Sequence, residues 1–163
     1  MMTCTRCGTP LTSRHVSRPY AEVGLSNVML VNVEVRACGH CRAQEVVLPQ
    51  VETLHDRIAH AIVLQADILT PSAIRFLRTW LGLSYRELAL MIGVRRETAF
   101  RWERQDVHYP MMRSADHLLR LLVANRASEP KPPLPIDKAR TAPRRKGLTF
   151  VAPDWQTSVH RGH

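Results

Sequence analysis

No stretch of this chain is apolar enough to cross a membrane. Its first residues, MMTCTRCG, lack both the charged start and the apolar run of a secretory leader. The expectation is a soluble, cytoplasmic protein. Cysteine is scarce, with four in 163 residues; in a reducing compartment so few thiols point to metal ligation rather than to a disulfide framework. Acidic residues are outnumbered, 14 against 23 lysines and arginines, for a formal charge of +9. That imbalance favours a polyanionic partner. There is no internal repeat, which excludes a solenoid. No Ser/His/Asp constellation is evident and no acid–base pair flanks the cysteines, so no enzymatic activity is expected. Apolar residues still make up 45% of the chain, enough for a packed core.

The charge is unevenly placed. Residues 1–69 balance six arginines against six acids, residues 70–126 carry ten arginines against five acids, and residues 127–163 carry seven basic residues against three acids. A neutral front is therefore joined to a basic back half, the pattern of a nucleic-acid-binding unit with an attached module.

All four cysteines fall in two C-x-x-C pairs, Cys4/Cys7 and Cys38/Cys41, thirty residues apart. Each pair can form a knuckle presenting two thiolates, and two knuckles complete a tetrahedral shell. Gly8 and Gly39 suit the sharp bends that such knuckles need. Val31, Val33 and Val35 alternate with Asn32, Glu34 and Arg36, which predicts a half-buried strand leading into the second knuckle, and Gln44–Leu48 can form the next. The expected unit is a small antiparallel, zinc-ribbon-like module over residues 1–48. About fifty residues cannot hold themselves together by apolar burial alone, so one structural zinc ion is the expected cofactor. His15 and His40 are alternative ligands and an iron–sulfur cluster is an alternative occupant. A redox dithiol lacks the surrounding βαβ pattern.

The most informative stretch is Leu69–Arg104. Thr70 is a suitable N-cap with Pro71 at the first helical position, and Ile74, Leu77 and Leu81 share one face before Gly82. Ser84 and Glu87 can form a capping box, with Leu83 stapled onto Leu88. Leu88, Ala89 and Ile92 face inward, Gly93 supplies a left-handed stop, and Val94 plugs the turn. The next helix, predicted over Arg95–Arg104, is studded with arginine. Together these cues predict a helix–turn–helix with a basic second helix, the geometry that enters a DNA major groove.

Upstream, Leu54, Ile58 and Ile62 predict a connector helix over Pro49–Gln65, which if straight would hold the two modules about 25 Å apart. His55 and His60 on it lack the spacing of a one-helix metal site. Downstream, a loop at Gln105–Met112 precedes a strongly apolar helix bearing Ala115, Leu118, Leu119 and Leu122, widened by Leu121 and Val123. It can serve as core alone or as core plus a dimer seam. Residues 127–163 hold many prolines and a basic cluster (Lys138, Arg140, Arg144, Arg145, Lys146), predicting an extended, phosphate-attracting tail. Phe150 and Trp155 are unusual in such a tail and point to docking of its end.

The order of these blocks resembles the MqsA-type antitoxins, and more closely the YgiT-type zinc finger and helix–turn–helix regulators grouped with them. The matching stretches are CTRCG, PYAEVGLSNVMLVNVEVRACGHC, LPQVETLHDRIAHAI, LTPSAIRFLRTWLGLSYRELALMIGV, RWER and DHLLRLLV, over about residues 1–125; the tail is not covered. The resemblance implies a zinc domain able to bind a toxin, an XRE-like domain that dimerises, and binding to a palindromic operator, often in the protein's own promoter. Two positions depart from the family. Its recognition helix opens on a small polar cap, where this chain has Arg95. Where the antitoxins read bases with an amide and an arginine, this chain has Glu97 and Arg101.

The expected fold is thus α+β and mostly α: the Cys4 zinc module (1–48), the connector helix (49–69), a five-helix-type XRE-like helix–turn–helix domain (70–126) and the Pro-rich basic tail (127–163). The metal ligands are Cys4, Cys7, Cys38 and Cys41. Arg96, Glu97, Phe100 and Arg101 are expected at base edges, while Tyr85, Arg86, Arg95 and Arg104 lie near phosphates. Phe100 can equally be a core residue. Arg78 and Glu103 are expected to pair between helices. The function expected is a sequence-specific repressor binding double-stranded DNA as a homodimer; the alternative is an antitoxin whose zinc module neutralises a toxin protein.

Overall fold

The computed structural model describes residues 2–126 and 147–158. Two long strands, β1 (Leu11–Pro19) and β2 (Val28–Cys38), form an antiparallel hairpin, followed by β3 (Gln44–Val47). Five helices come next: α1 (Val51–Leu64), α2 (Pro71–Trp80), α3 (Tyr85–Ile92), α4 (Arg96–Trp102) and α5 (Arg113–Arg126). The chain then returns to the sheet as β4 (Leu148–Val151) and β5 (Gln156–Ser158).

The α+β class agrees with the sequence reading, but two details differ. The sheet is mixed and five-stranded, because β4 runs parallel to β2. Residues 147–158, read from composition as the end of an extended tail, therefore belong to the front sheet. Phe150 and Trp155 drive this: both are fully buried, and the Trp155 indole N–H donates to the Pro49 carbonyl at 2.7 Å. The basic cluster of the tail lies outside the described residues.

The alternation expected in β2 breaks at Asn32, which takes a left-handed conformation (φ 60°) that asparagine tolerates better than most residues. Pairing with β1 slips by one residue between Val16 and Arg18, a β-bulge. Val28 and Leu30 are buried before it, and Val33 and Val35 after it, so Val31 falls out of phase with its neighbours. The bulge also divides the far edge of β2 between two partners. Residues 28–31 pair with β4 and residues 34–37 with β3.

Helix α1 does not act as a spacer. Leu54, Ile58, Ala59, Ile62 and Val63 are all buried, and the helix packs against α2 and α5 as well as against β4 and β5. A single apolar cluster runs from Val28, Leu30 and Val33 through Leu54 and Ile58 to Leu77, Leu88 and Leu119.

Sequence reading missed what holds the end of α1. Arg120, with 1% of its surface exposed, crosses from α5. It donates to the carbonyls of Val63 (2.7 Å), Gln65 (2.7 Å) and Asp67 (2.6 Å), and its Nε donates to Asp116 at 2.8 Å. The guanidinium thus satisfies carbonyls that a helix terminus leaves without partners. Removing one partner of a buried ion pair strands the other charge. Arg120→Ala should therefore lower unfolding free energy by about 3–5 kcal/mol, measured by urea denaturation; a loss under 1 kcal/mol would show that this pair does not hold α1 in place.

Candidate metal centre and arginine face

The front of the molecule gathers the four cysteines. Their sulfurs all lie within 4.8 Å of one another, with Cys4 Sγ 3.5 Å from Cys41 Sγ and Cys7 Sγ 3.4 Å from Cys38 Sγ. A tetrahedron with metal–sulfur bonds of about 2.3 Å has edges of about 3.8 Å, whereas a disulfide needs about 2.05 Å. The sulfurs are therefore spaced for a shared ion, and the donor set fits a closed, thiolate-ligated metal site. Cys4 and Cys38 are buried and Cys7 is exposed, so the cluster sits at the surface with its inner edge in protein. His15 and His40 stand outside the group.

Each knuckle closes with matching backbone bonds. The Gly8 amide donates to Cys4 O at 2.8 Å, and the Arg42 amide donates to Cys38 O at 3.1 Å. Both residues adopt positive φ, 74° and 59°. The left-handed position of the second knuckle is thus Arg42, one residue after Cys41, and not Gly39 as the sequence suggested. The thiols are unequal. Cys7 is drawn down to about 6 by the hydroxyl and then the amide of Thr9. Cys4 is lowered, first by the amide of Arg6. Cys41 feels the Ala43 amide pulling it down, yet the Cys4 thiol, burial and the other cysteines push it up to about 11. Four thiolates cannot crowd together without a cation, and a metal ion held by Cys4, Cys7, Cys38 and Cys41 would supply the opposing charge.

Two outcomes follow for this centre. Stripping the metal with a chelator, or Cys38→Ser, should abolish one-per-chain metal binding and the ordered β1–β2 hairpin, as read by amide exchange; retention of the hairpin in either case would make the ion dispensable. Gly8→Ala should cost about 1–2 kcal/mol because alanine resists positive φ, while Gly39→Ala, with open space around its Cβ, should leave the melting temperature of the metal-loaded protein unchanged.

Away from the cysteine knuckles in the chain, α2, α3 and α4 present the arginines. The Thr70 hydroxyl accepts from the Ala73 amide at 3.2 Å. The capping box of α3 is complete: the Glu87 amide donates to Ser84 Oγ at 3.2 Å, and the Ser84 amide donates to Glu87 Oε2 at 2.8 Å. Gly93 ends α3 with φ 81°. Arg95 occupies the N-cap of α4 without a side-chain bond, and the helix is shorter than expected, ending at Trp102. Ala99 and Trp102 anchor its inner side in the core.

The expected Arg78–Glu103 pair is present. Arg78 Nε and Nη2 donate to the two Glu103 oxygens at 2.6 and 3.1 Å, while Nη1 donates to Leu83 O at 2.8 Å. Tyr85 joins this pair: its hydroxyl donates to Glu103 Oε2 at 2.8 Å, and the Arg78 guanidinium lies 4.1 Å from its ring centroid. Burial, then the Glu103 carboxylate, raises the Tyr85 phenol. Tyr85, expected near phosphates, is half-buried and braces α2, α3 and the end of α4.

The other seven expected contacts, Arg86, Arg95, Arg96, Glu97, Phe100, Arg101 and Arg104, are all exposed. Phe100 is 46% exposed and meets Tyr85 edge-on at 5.4 Å, which places it on the surface rather than in the core. Arg104 is paired with Asp106, whose carboxyl is held below its usual range by that guanidinium. Arg101 lies beside a residue no sequence cue had marked: its guanidinium carbon is 5.8 Å from the Tyr109 ring centroid. Comparison with known protein families, with characterised proteins and with solved structures finds no match for this chain.

Proposed function

We propose that this protein is a sequence-specific DNA-binding repressor of the MqsA/YgiT type. In this reading it acts in the cytoplasm as a homodimer on a palindromic operator, its own promoter included, and its cysteine cluster holds one structural zinc ion. The observation that carries the reading is the α3–turn–α4 unit. Its caps and internal ion pair hold α4 from within, while Arg95, Arg96, Glu97, Phe100 and Arg101 are left open to solvent.

Arg101 offers paired donors to guanine O6 and N7, and Glu97 accepts from a cytosine amino group. Arg96 and Phe100 complete the base-facing set, Phe100 against a thymine methyl. Arg95 and Arg86 take phosphates, which fix register without reading sequence. Arg104 contributes less, because Asp106 already offsets its charge. Leu118 and Leu121, 40% and 53% exposed on α5, supply the apolar seam for a second copy. Zinc is the ion favoured by an all-thiolate closed shell.

A gel shift against the protein's own upstream DNA, with metal content measured on the same sample, tests the whole reading. Arg101→Ala should lower discrimination at one base pair by about 1–3 kcal/mol, whereas Arg95→Ala should weaken binding to operator and random DNA alike. Equal losses on both DNAs for both variants would overturn the assignment of base-reading to α4.

A second reading has one observation in its favour. Beyond Leu11, whose amide donates to the Met2 carbonyl at 2.9 Å, the nine-residue strand β1 pairs only with β2 among the described residues, which leaves most of one edge open to a protein partner such as a toxin. Co-purification of a small, separately encoded protein, lost when prolines are placed along β1, would favour it.

A further inference from the structure

We propose that Tyr109 is a positioning residue for Arg101, holding its guanidinium ready for a guanine while leaving its donors unoccupied. The inference deepens the DNA-binding reading and rests on it.

The arginines around α4 are held in different ways. Arg78 is locked by Glu103, and Arg104 is paired with Asp106. Arg101 pairs with no carboxylate among the described residues; an aromatic face is its neighbour. The chemistry of the two restraints differs. A carboxylate occupies guanidinium N–H groups and must be displaced before a base can be bound. A ring face attracts the flat cation through its π-cloud and leaves the donors in the guanidinium plane free. A long side chain restrained in this manner loses less freedom on binding, which favours the one base edge it fits.

The ring is itself anchored. The Tyr109 amide donates to the Val107 carbonyl at 2.9 Å, closing a tight turn. Pro110 follows with its backbone angle fixed, and Met111 is buried in the core. Tyr109 is nonetheless 42% exposed, so it stands at the surface beside the base-reading helix rather than serving the core.

The test is a panel of duplexes with single base-pair changes in the operator, measured with wild type, Arg101→Ala, Tyr109→Ala and Tyr109→Phe. Arg101→Ala marks the base pair it reads. Tyr109→Ala should lower preference at that same pair by about two- to five-fold, with binding to random DNA and melting temperature unchanged. Tyr109→Phe, which keeps the ring, should match wild type. Wild-type preference in Tyr109→Ala overturns the inference and leaves the DNA reading intact. Failure of Tyr109→Phe to rescue also overturns it, by moving the effect to the hydroxyl. Absence of any sequence preference in the wild type overturns both. A readout without DNA stands beside these: the Arg101 Nε–H resonance should carry a ring-current shift that Tyr109→Ala removes and Tyr109→Phe keeps. An identical resonance in wild type and Tyr109→Ala overturns the contact itself.

Discussion

Helix α1 is clamped between the sheet and the helical half, and everything else depends on that clamp. Its buried residues, Leu54, Ile58, Ala59, Ile62 and Val63, form one broad face that spans about half of the helix surface, so more than one neighbour is needed to cover it. Leu54 and Ile58 are fully buried, and the helix meets β4 and β5 as well as α2 and α5. The Val63 carbonyl at its C-terminus is bonded in the interior and those of Gln65 and Asp67 just beyond it at the margin of the interior; the buried Arg120 takes all three at the cost of its own desolvation. Asp116 offsets the charge. The front sheet and the arginine-bearing helices are thereby fixed to a common element.

The arginine-bearing end uses a similar device at smaller scale. Glu103, just past the end of α4, accepts from Arg78 of α2 and Tyr85 of α3, so three helices share one carboxylate. The inward residues of α4 lock its axis, and its outward residues remain free. The division is between charges already neutralised inside the protein and charges left for a partner. Net charge alone does not distinguish them: Arg104 and Arg101 lie on one short segment, yet among the described residues only the former is ion-paired.

How much was legible in the residues follows from how local each cause is. Thr70, Ser84/Glu87 and Gly93 act within four residues of themselves, so their caps and stop could be read directly. The two C-x-x-C pairs are equally local, and only their mutual approach needed the fold. Long-range causes left fainter traces. The break in β2 at Asn32 comes from a bulge in its pairing with β1, which alternation within one strand cannot reveal. Nothing in the sequence marked Arg120, because the three carbonyls it bonds lie more than fifty positions away. Phe150 and Trp155 did signal that the tail docks, but not that it becomes parallel strand. The face of α4 was legible from periodicity; the ring beside Arg101 was not, since it comes from the following loop.

The return of β4 to β2 has a consequence for how this molecule can be taken apart. Strands β3 and β4 lie along the same edge of β2 yet bracket all five helices in sequence. The helical half is therefore an insertion within the sheet, not an appendage behind it. A fragment stopping at Arg126 would unroof the seats of Phe150 and Trp155 and leave the upper half of that edge bare. Neither half can be lifted out by a single cut, so a study of the parts calls for a circularly permuted chain, or for supplying the final strands as a separate peptide.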